Sequence, residues 1–177
     1  DVTDFELLRQ KYDNEKLCLA YVRFDNYEDV MKGMSETTRA NISGEVNEVL
    51  SKWAEEENGF ISRSNKELCL IGFNQAVLRD LMEQKFPVLD SVREIHVGNK
   101  ITPTVSIGIA CEGDNLEELS QNAVKALDLA LGRGGDQVVV AVDGGTQFFG
   151  GTTTVTAKST RVRARIVAHT IHEQIIA

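Results

Sequence analysis

Residues 17–24, Leu-Cys-Leu-Ala-Tyr-Val-Arg-Phe, form a nearly continuous apolar run. A strand with one face in water alternates apolar and polar side chains. An unbroken run is the pattern of a central strand covered on both faces, which points to a sheet sandwiched between helices. A charge, Arg23, enters only near the C-terminal end of this run. In open α/β sheets that end is where ligands bind.

The flanking sequence supplies the covering layers. Thr3-Asp4-Phe5-Glu6 reads as a capping box opening a short helix whose Phe5, Leu7, Leu8 and Tyr12 make one apolar face. After Asn26 to Gly33, a longer helix places Ile42, Val46, Val49, Leu50 and Trp53 on one stripe and ends at Asn58-Gly59. Phe60 to Phe73 reads as two short strands around the polar turn Arg63-Ser64-Asn65-Lys66. Asn74 caps a helix with the stripe Val77, Leu78, Leu81 and Met82, which Pro87 interrupts before a second short helix to Ile95. A strand is predicted over 102–110, a helix over 116–131 and a strand over 137–142. The order β-α-α-β-β-α-β-α-β predicts an α/β sandwich with parallel and antiparallel neighbours.

Three segments follow: a linker helix over 1–15, a domain over 16–143, and a linker with a basic helix over 144–177. In the last, Gly144-Gly145 and Gly150-Gly151 flank Phe148-Phe149. Residues Arg161 to Ile176 then carry Val162, Ile166, Val167, Ile171 and Ile175 as a stripe for an absent neighbour. The opening Asp1-Val2-Thr3-Asp4 reads as the continuation of a longer protein, so membrane segments upstream stay open. A net charge of −8 argues against a nucleic-acid surface. Cys18, Cys69 and Cys111 lie in or beside apolar runs and read as free core cysteines in a reducing cytosol, with no metal-ligand spacing.

Several motifs in order resemble GGDEF domains. Leu19-Ala-Tyr-Val-Arg-Phe-Asp25-Asn-Tyr looks like that family's first strand and its D-x-D. Thr104 to Ala110 is similar to its T-x-S-x-G strand. Ala123-Val-Lys-Ala126-Leu127 with Gly134-Gly-Asp-Gln-Val138 resembles its last helix and turn. A narrower likeness runs through Leu127 to Val138, Phe149-Gly-Gly151 and Thr160 to Arg165, which are similar to the GdpP/YybT family. Those are membrane-anchored bacterial cyclic-di-AMP phosphodiesterases with a PAS domain, a degenerate GGDEF domain and a DHH/DHHA1 catalytic unit. The resemblance implies a GGDEF-like mixed central sheet flanked by helices. It also implies a cytoplasmic domain of an anchored parent, and PAS and DHH/DHHA1 domains as partners in the same protein. The D-H-H acids, and the manganese the resemblance implies for them, belong to the absent unit, so no catalytic residue is assigned here.

In active cyclases of the GGDEF family, the first Asp of D-x-D and an acid on the hairpin hold magnesium. Here those positions are Arg23 and Lys66, while Asp25 and Glu67 keep the second acid of each motif. The family's base-binding Asn falls at Met31 and its partner acid near Arg39 or Ala40. Its phosphate-binding lysine and arginine fall at Leu131 and Gly135, with Arg133 as a substitute. Ordinary cyclase chemistry is thereby excluded, and no metal site is assigned.

Two regulatory readings stand. In one, Arg23 and Lys66 are solvated or paired with Asp25 and Glu67, and the domain acts by packing and homodimer contact. In the other, Arg23, Lys66 and Arg133, beside Asp25 and Glu67, bind the phosphates of a nucleotide such as ATP directly, without a cofactor. The alternative is a weak ATPase with residual magnesium at Asp25 and Glu67. His169, His172 and Glu173 share a helical face, but a surface helix explains them, and Gly132-x-Gly134-Gly135 lacks the Lys of a P-loop.

Overall fold

The computed structural model describes residues 1–151. The sequence-predicted basic helix and its His169, His172 and Glu173 lie outside the described residues. The first helix, α1 (Val2–Glu15), starts one residue before the expected capping box, and its N-cap lies two residues before Thr3. Asp1 is the N-cap, its side chain accepting from the Thr3 N–H at 3.4 Å. None of its residues is buried, and Phe5, Leu8 and Tyr12 are exposed.

The sheet has six strands in the order β2-β3-β1-β4-β5-β6. They are β1 (Leu17–Phe24), β2 (Phe60–Arg63), β3 (Leu68–Asn74), β4 (Val105–Ala110), β5 (Gln137–Val142) and β6 (Gly145–Gly150). β1 runs antiparallel to both β3 and β4, β4 and β5 are parallel, and β5 and β6 are antiparallel. The mixed sheet expected from the sequence is present, with β1 inside it.

Alternation along β1 explains why its apolar run is continuous. Cys18, Ala20, Val22 and Phe24 point to one face. They join a cluster with Ile42, Val46, Leu50 and Trp53 of α3 (Glu36–Glu56), Leu78 and Leu81 of α4 (Gln75–Glu83), and Val88 and Val92 of α5 (Val88–Arg93). Leu19 and Tyr21 point to the other face, against Leu119 and Ala123 of α6 (Leu116–Gly132). Asn74 caps α4 as expected, accepting from the Val77 N–H at 3.0 Å. Gly108 on β4 meets α6 so closely that a Cβ there would fall onto the backbone of Ala123 and Leu127. The remaining helix, α2 (Tyr27–Met31), contributes Val30 and Met31 to the core.

Two expectations are corrected here. The predicted linker does not begin at 144. Residues 145–150 form β6, with Val142 opposite Gly145 across the two-residue turn Asp143-Gly144. Gly144 sits at φ +80, which glycine adopts without steric cost. Nor are all three cysteines free. The β1–β4 register sets Leu19 opposite Ala110, so Cys18 and Cys111 face each other with Cα atoms 4.2 Å apart, joined as a disulfide. Cys69 is free and buried. The cysteines therefore carry no argument for a reducing compartment. Among the described residues, no helix is long and apolar enough to cross a membrane.

Candidate functional site

Three elements meet at the C-terminal end of β1. The first is β1 itself, which brings Arg23 to the face that α6 covers. The second is the hairpin loop 64–67, held beside it because the Phe24 N–H donates to the Glu67 carbonyl at 2.8 Å. The third is α6. Between them lies a cavity of about 520 Å³, lined by Arg23, Lys66, Glu67 and Asp128 over a floor that includes Leu127 and Leu131. That volume falls within the range of small-molecule sites.

The hairpin loop is tied down from both sides. Arg63 donates to the Asn47 side-chain oxygen at 2.6 Å, the Ser51 hydroxyl at 2.7 Å and the Asn47 carbonyl at 3.2 Å, pinning the loop to α3. Asn65 accepts from the N–H groups of Glu67 and Leu68 at 2.8 and 2.9 Å. Local hydrogen bonding of this kind is why Asn is favoured in turns.

Arg23 and Glu67 form an ion pair at 3.6 Å, with 44% and 34% of the side chains exposed. A pair this open to water contributes about 0–1 kcal/mol. Arg23 also acts on Asp128, whose carboxyl is pushed above its ordinary range by burial and partly pulled back by the guanidinium. Lys66 is exposed, and among the described residues its ammonium has no hydrogen-bond or ion-pair partner.

Asp25 occupies a different place from the one expected of it. It does not line the cavity and does not pair with Lys66 or Arg23. Its carboxyl turns toward β4 and β5, where Oδ2 accepts from the Thr104 hydroxyl at 3.2 Å and the Asp136 N–H at 2.9 Å. Oδ1 is buried without a partner in good geometry, as is the neighbouring Ser106 hydroxyl. Burial raises the Asp25 carboxyl from 3.8 to about 6, against the lowering effects of Ser106, Asp136 and Thr104. The fit around it is close. Gly135, at φ +77, would set a Cβ 2.9 Å from Asp25 Oδ2. Asp136 takes φ +55 and is held by Arg93, whose Nε reaches its two carboxylate oxygens at 2.9 and 3.1 Å. Asp25 is a buried tie between β1 and the turn into β5.

The remaining sequence candidates separate. Arg133 is not at the cavity; its guanidinium lies over the Phe148 ring of β6, 4.2 Å from the centroid. Its expected position beside Arg23 and Lys66 assumed that the Gly-rich turn faces the hairpin, but β6, missed in the sequence, draws it to the opposite edge of the sheet. Met31, at a base-binding position, is buried in the core. Asn65 and Asp128 were not singled out as site residues. Asp128 was accessible from helical phase, since it falls four residues after Val124 and three before Leu131, both of which line the cavity.

Two carboxylates, Glu67 and Asp128, line the cavity beside a guanidinium and an ammonium, and Glu67 is paired with Arg23. Among the described residues no group of three or more His, Cys, Asp or Glu side chains is placed to hold a metal ion. The acids proposed for a residual metal, Asp25 and Glu67, are turned to different partners.

Comparison with known proteins agrees with the fold and the motifs. The family model described as "Cyclic-di-AMP phosphodiesterase GdpP-like, GGDEF domain" matches residues 22–148. The chain is 39% identical over 174 residues to the cyclic-di-AMP phosphodiesterase GdpP of Bacillus subtilis (strain 168), covering 98% of this chain and 26% of that protein. It is 36% identical over 176 residues to the cyclic-di-AMP phosphodiesterase PdeA of Listeria monocytogenes serotype 1/2a (strain 10403S), covering 99% of this chain and 27% of that one. It thus spans about a quarter of the length of these relatives. Among solved structures, the GGDEF domain of DgcB from Caulobacter crescentus in complex with c-di-GMP superposes with a TM-score of 0.61 at 18% identity, covering 78% of this chain and 87% of that one. The chain therefore belongs to the GdpP-like GGDEF domain family of the cyclic-di-AMP phosphodiesterases.

Proposed function

We propose that this chain is a degenerate, regulatory GGDEF domain of a membrane-anchored cyclic-di-AMP phosphodiesterase. It makes no cyclic dinucleotide. It binds the phosphates of a nucleotide on Lys66 and Arg23 without a metal and relays occupancy to the PAS and DHH/DHHA1 domains of the same protein. The observation that carries this reading is a cavity of about 520 Å³ where cations replace metal-binding acids and Lys66 is left without a partner. An ammonium in that position is a ready donor to a phosphate oxygen.

A second reading rests on the Arg23–Glu67 pair. A self-paired wall above an apolar floor suits packing against a neighbouring domain, with no small ligand. The weak ATPase draws no support from the site, because Asp25 and Glu67 do not converge on one point.

The experiment is cyclic-di-AMP hydrolysis by the full-length protein as ATP is titrated, compared with Lys66→Glu. Nucleotide regulation predicts that the ATP response disappears in the variant. A response of equal size would place the ATP site elsewhere. No response to ATP in the parent, with basal hydrolysis altered by Lys66→Glu, would favour packing.

A further inference from the structure

The hairpin loop has a second property that decides how an anion can be held there. Backbone N–H groups that converge at a turn form a concavity that binds anions. Residues 64–68 bring such groups together. The N–H groups of Ser64 and Asn65 donate to the Leu68 carbonyl at 3.0 and 3.2 Å. Those of Glu67 and Leu68 donate to the Asn65 side-chain oxygen at 2.8 and 2.9 Å. The Lys66 N–H alone has no partner within the loop. Residues 65–68 all line the cavity and also border a smaller one toward α3, so the loop whose amides Asn65 takes is part of the cavity wall.

We infer that Asn65 is a specificity-determining residue, an internal acceptor that fills the loop's backbone concavity and so closes it to an external anion. Recognition at this cavity then rests on the Lys66 ammonium and the Arg23 guanidinium, the latter shared with Glu67 at 3.6 Å. Binding through these groups is weak and falls with ionic strength, because exposed side-chain charges are screened by salt. A high-charge polyphosphate, which needs many donors, is disfavoured relative to what the same loop would hold with its amides open. The Arg63 contacts to α3 keep the loop in this self-satisfied form. The inference rests on the cavity being the site proposed above, but it concerns the loop amides themselves.

The test titrates inorganic tripolyphosphate, with EDTA present, into the 177-residue chain and two variants. Asn65→Gly removes the internal acceptor and is expected to bind at least about tenfold tighter than the parent, the change that one charge-assisted hydrogen bond supplies. Asn65→Asp keeps an acceptor in place and is expected to bind no tighter than the parent. Equal binding by the parent and Asn65→Gly, or tighter binding by Asn65→Asp, overturns the inference. Because glycine also loosens a turn, amide exchange in the parent gives an independent reading. The Glu67 and Leu68 amides should exchange at least about tenfold more slowly than that of Lys66, and equal rates would overturn the inference with no variant involved. These exchange rates do not depend on whether ATP regulates hydrolysis, so the two proposals can fail separately.

Discussion

Asp25 shows how one carboxylate can be kept while its role is changed. It sits in the second acid position of D-x-D, yet its Oδ2 is spent on Thr104 and the Asp136 N–H and its Oδ1 is buried. Its carboxyl is raised from 3.8 to about 6, chiefly by burial, which fixes the sign of a pH effect. Below about pH 3, the group is largely protonated in folded and unfolded chains alike and costs nothing. As pH rises toward 6, the unfolded chain ionises first while the folded chain keeps its proton, so stability falls. Above about 6 the loss is complete, at up to about 3 kcal/mol from the shift. Urea unfolding between pH 4 and 7 should therefore show a declining contribution in the parent that is missing in Asp25→Asn, with the variant the more stable of the two at pH 7. Parallel pH profiles would contradict the assignment. Arg23→Ala, by contrast, removes only an exposed pair and should change stability by less than about 1 kcal/mol in the same measurement.

Elements, more than residues, were legible in the sequence, and the exceptions have physical causes. The β1 run, the α3 stripe and the Asn74 cap could be read because each reflects a local periodicity or hydrogen bond. Gly108 of the T-x-S-x-G strand gains its reason only in three dimensions, from the α6 backbone against it. Gly108→Ala should accordingly cost about 1–3 kcal/mol or more, measured by thermal or denaturant unfolding, since neither strand nor helix can yield without repacking. β6 was missed because Gly-Gly pairs around two phenylalanines look like a linker, although Asp143-Gly144 between apolar runs is a hairpin signal. The displacement of Arg133 to Phe148 follows from that same omission. The cysteine pairing was hidden because register between strands distant in sequence is not a local property; Cys18 and Cys111 are 93 residues apart. It predicts one free thiol per chain after non-reducing purification and denaturation, that of Cys69, whose pKa burial pushes up to about 11. Reduction should lower stability by about 2–4 kcal/mol. Three titratable thiols would contradict the pairing.

At the scale of the whole molecule, the sheet places two sets of polar groups on either side of the end of β1. On one side, Asp25, Asp136 and Arg93 tie β1 to β5 and α5 in a partly buried network. On the other, Arg23, Lys66, Glu67 and Asp128 line an open cavity. The candidate site was legible in its types, cations in place of acids, because that reading needs only an alignment of motifs. Its geometry was not, because side-chain direction at a strand end depends on which neighbours offer hydrogen bonds. The chain matches about a quarter of the length of its relatives, so the effect of this cavity is to be read in the intact protein as well as in the domain. If positive charge has replaced the metal as the phosphate ligand, as proposed above, ATP binds with no divalent ion present. Calorimetric titration of ATP into the chain with EDTA present tests it most directly. The expected result is binding that needs no magnesium, weakens with added salt and is lost in Lys66→Glu; binding that appears only with magnesium, or that is equal in the parent and Lys66→Glu, would contradict the proposal.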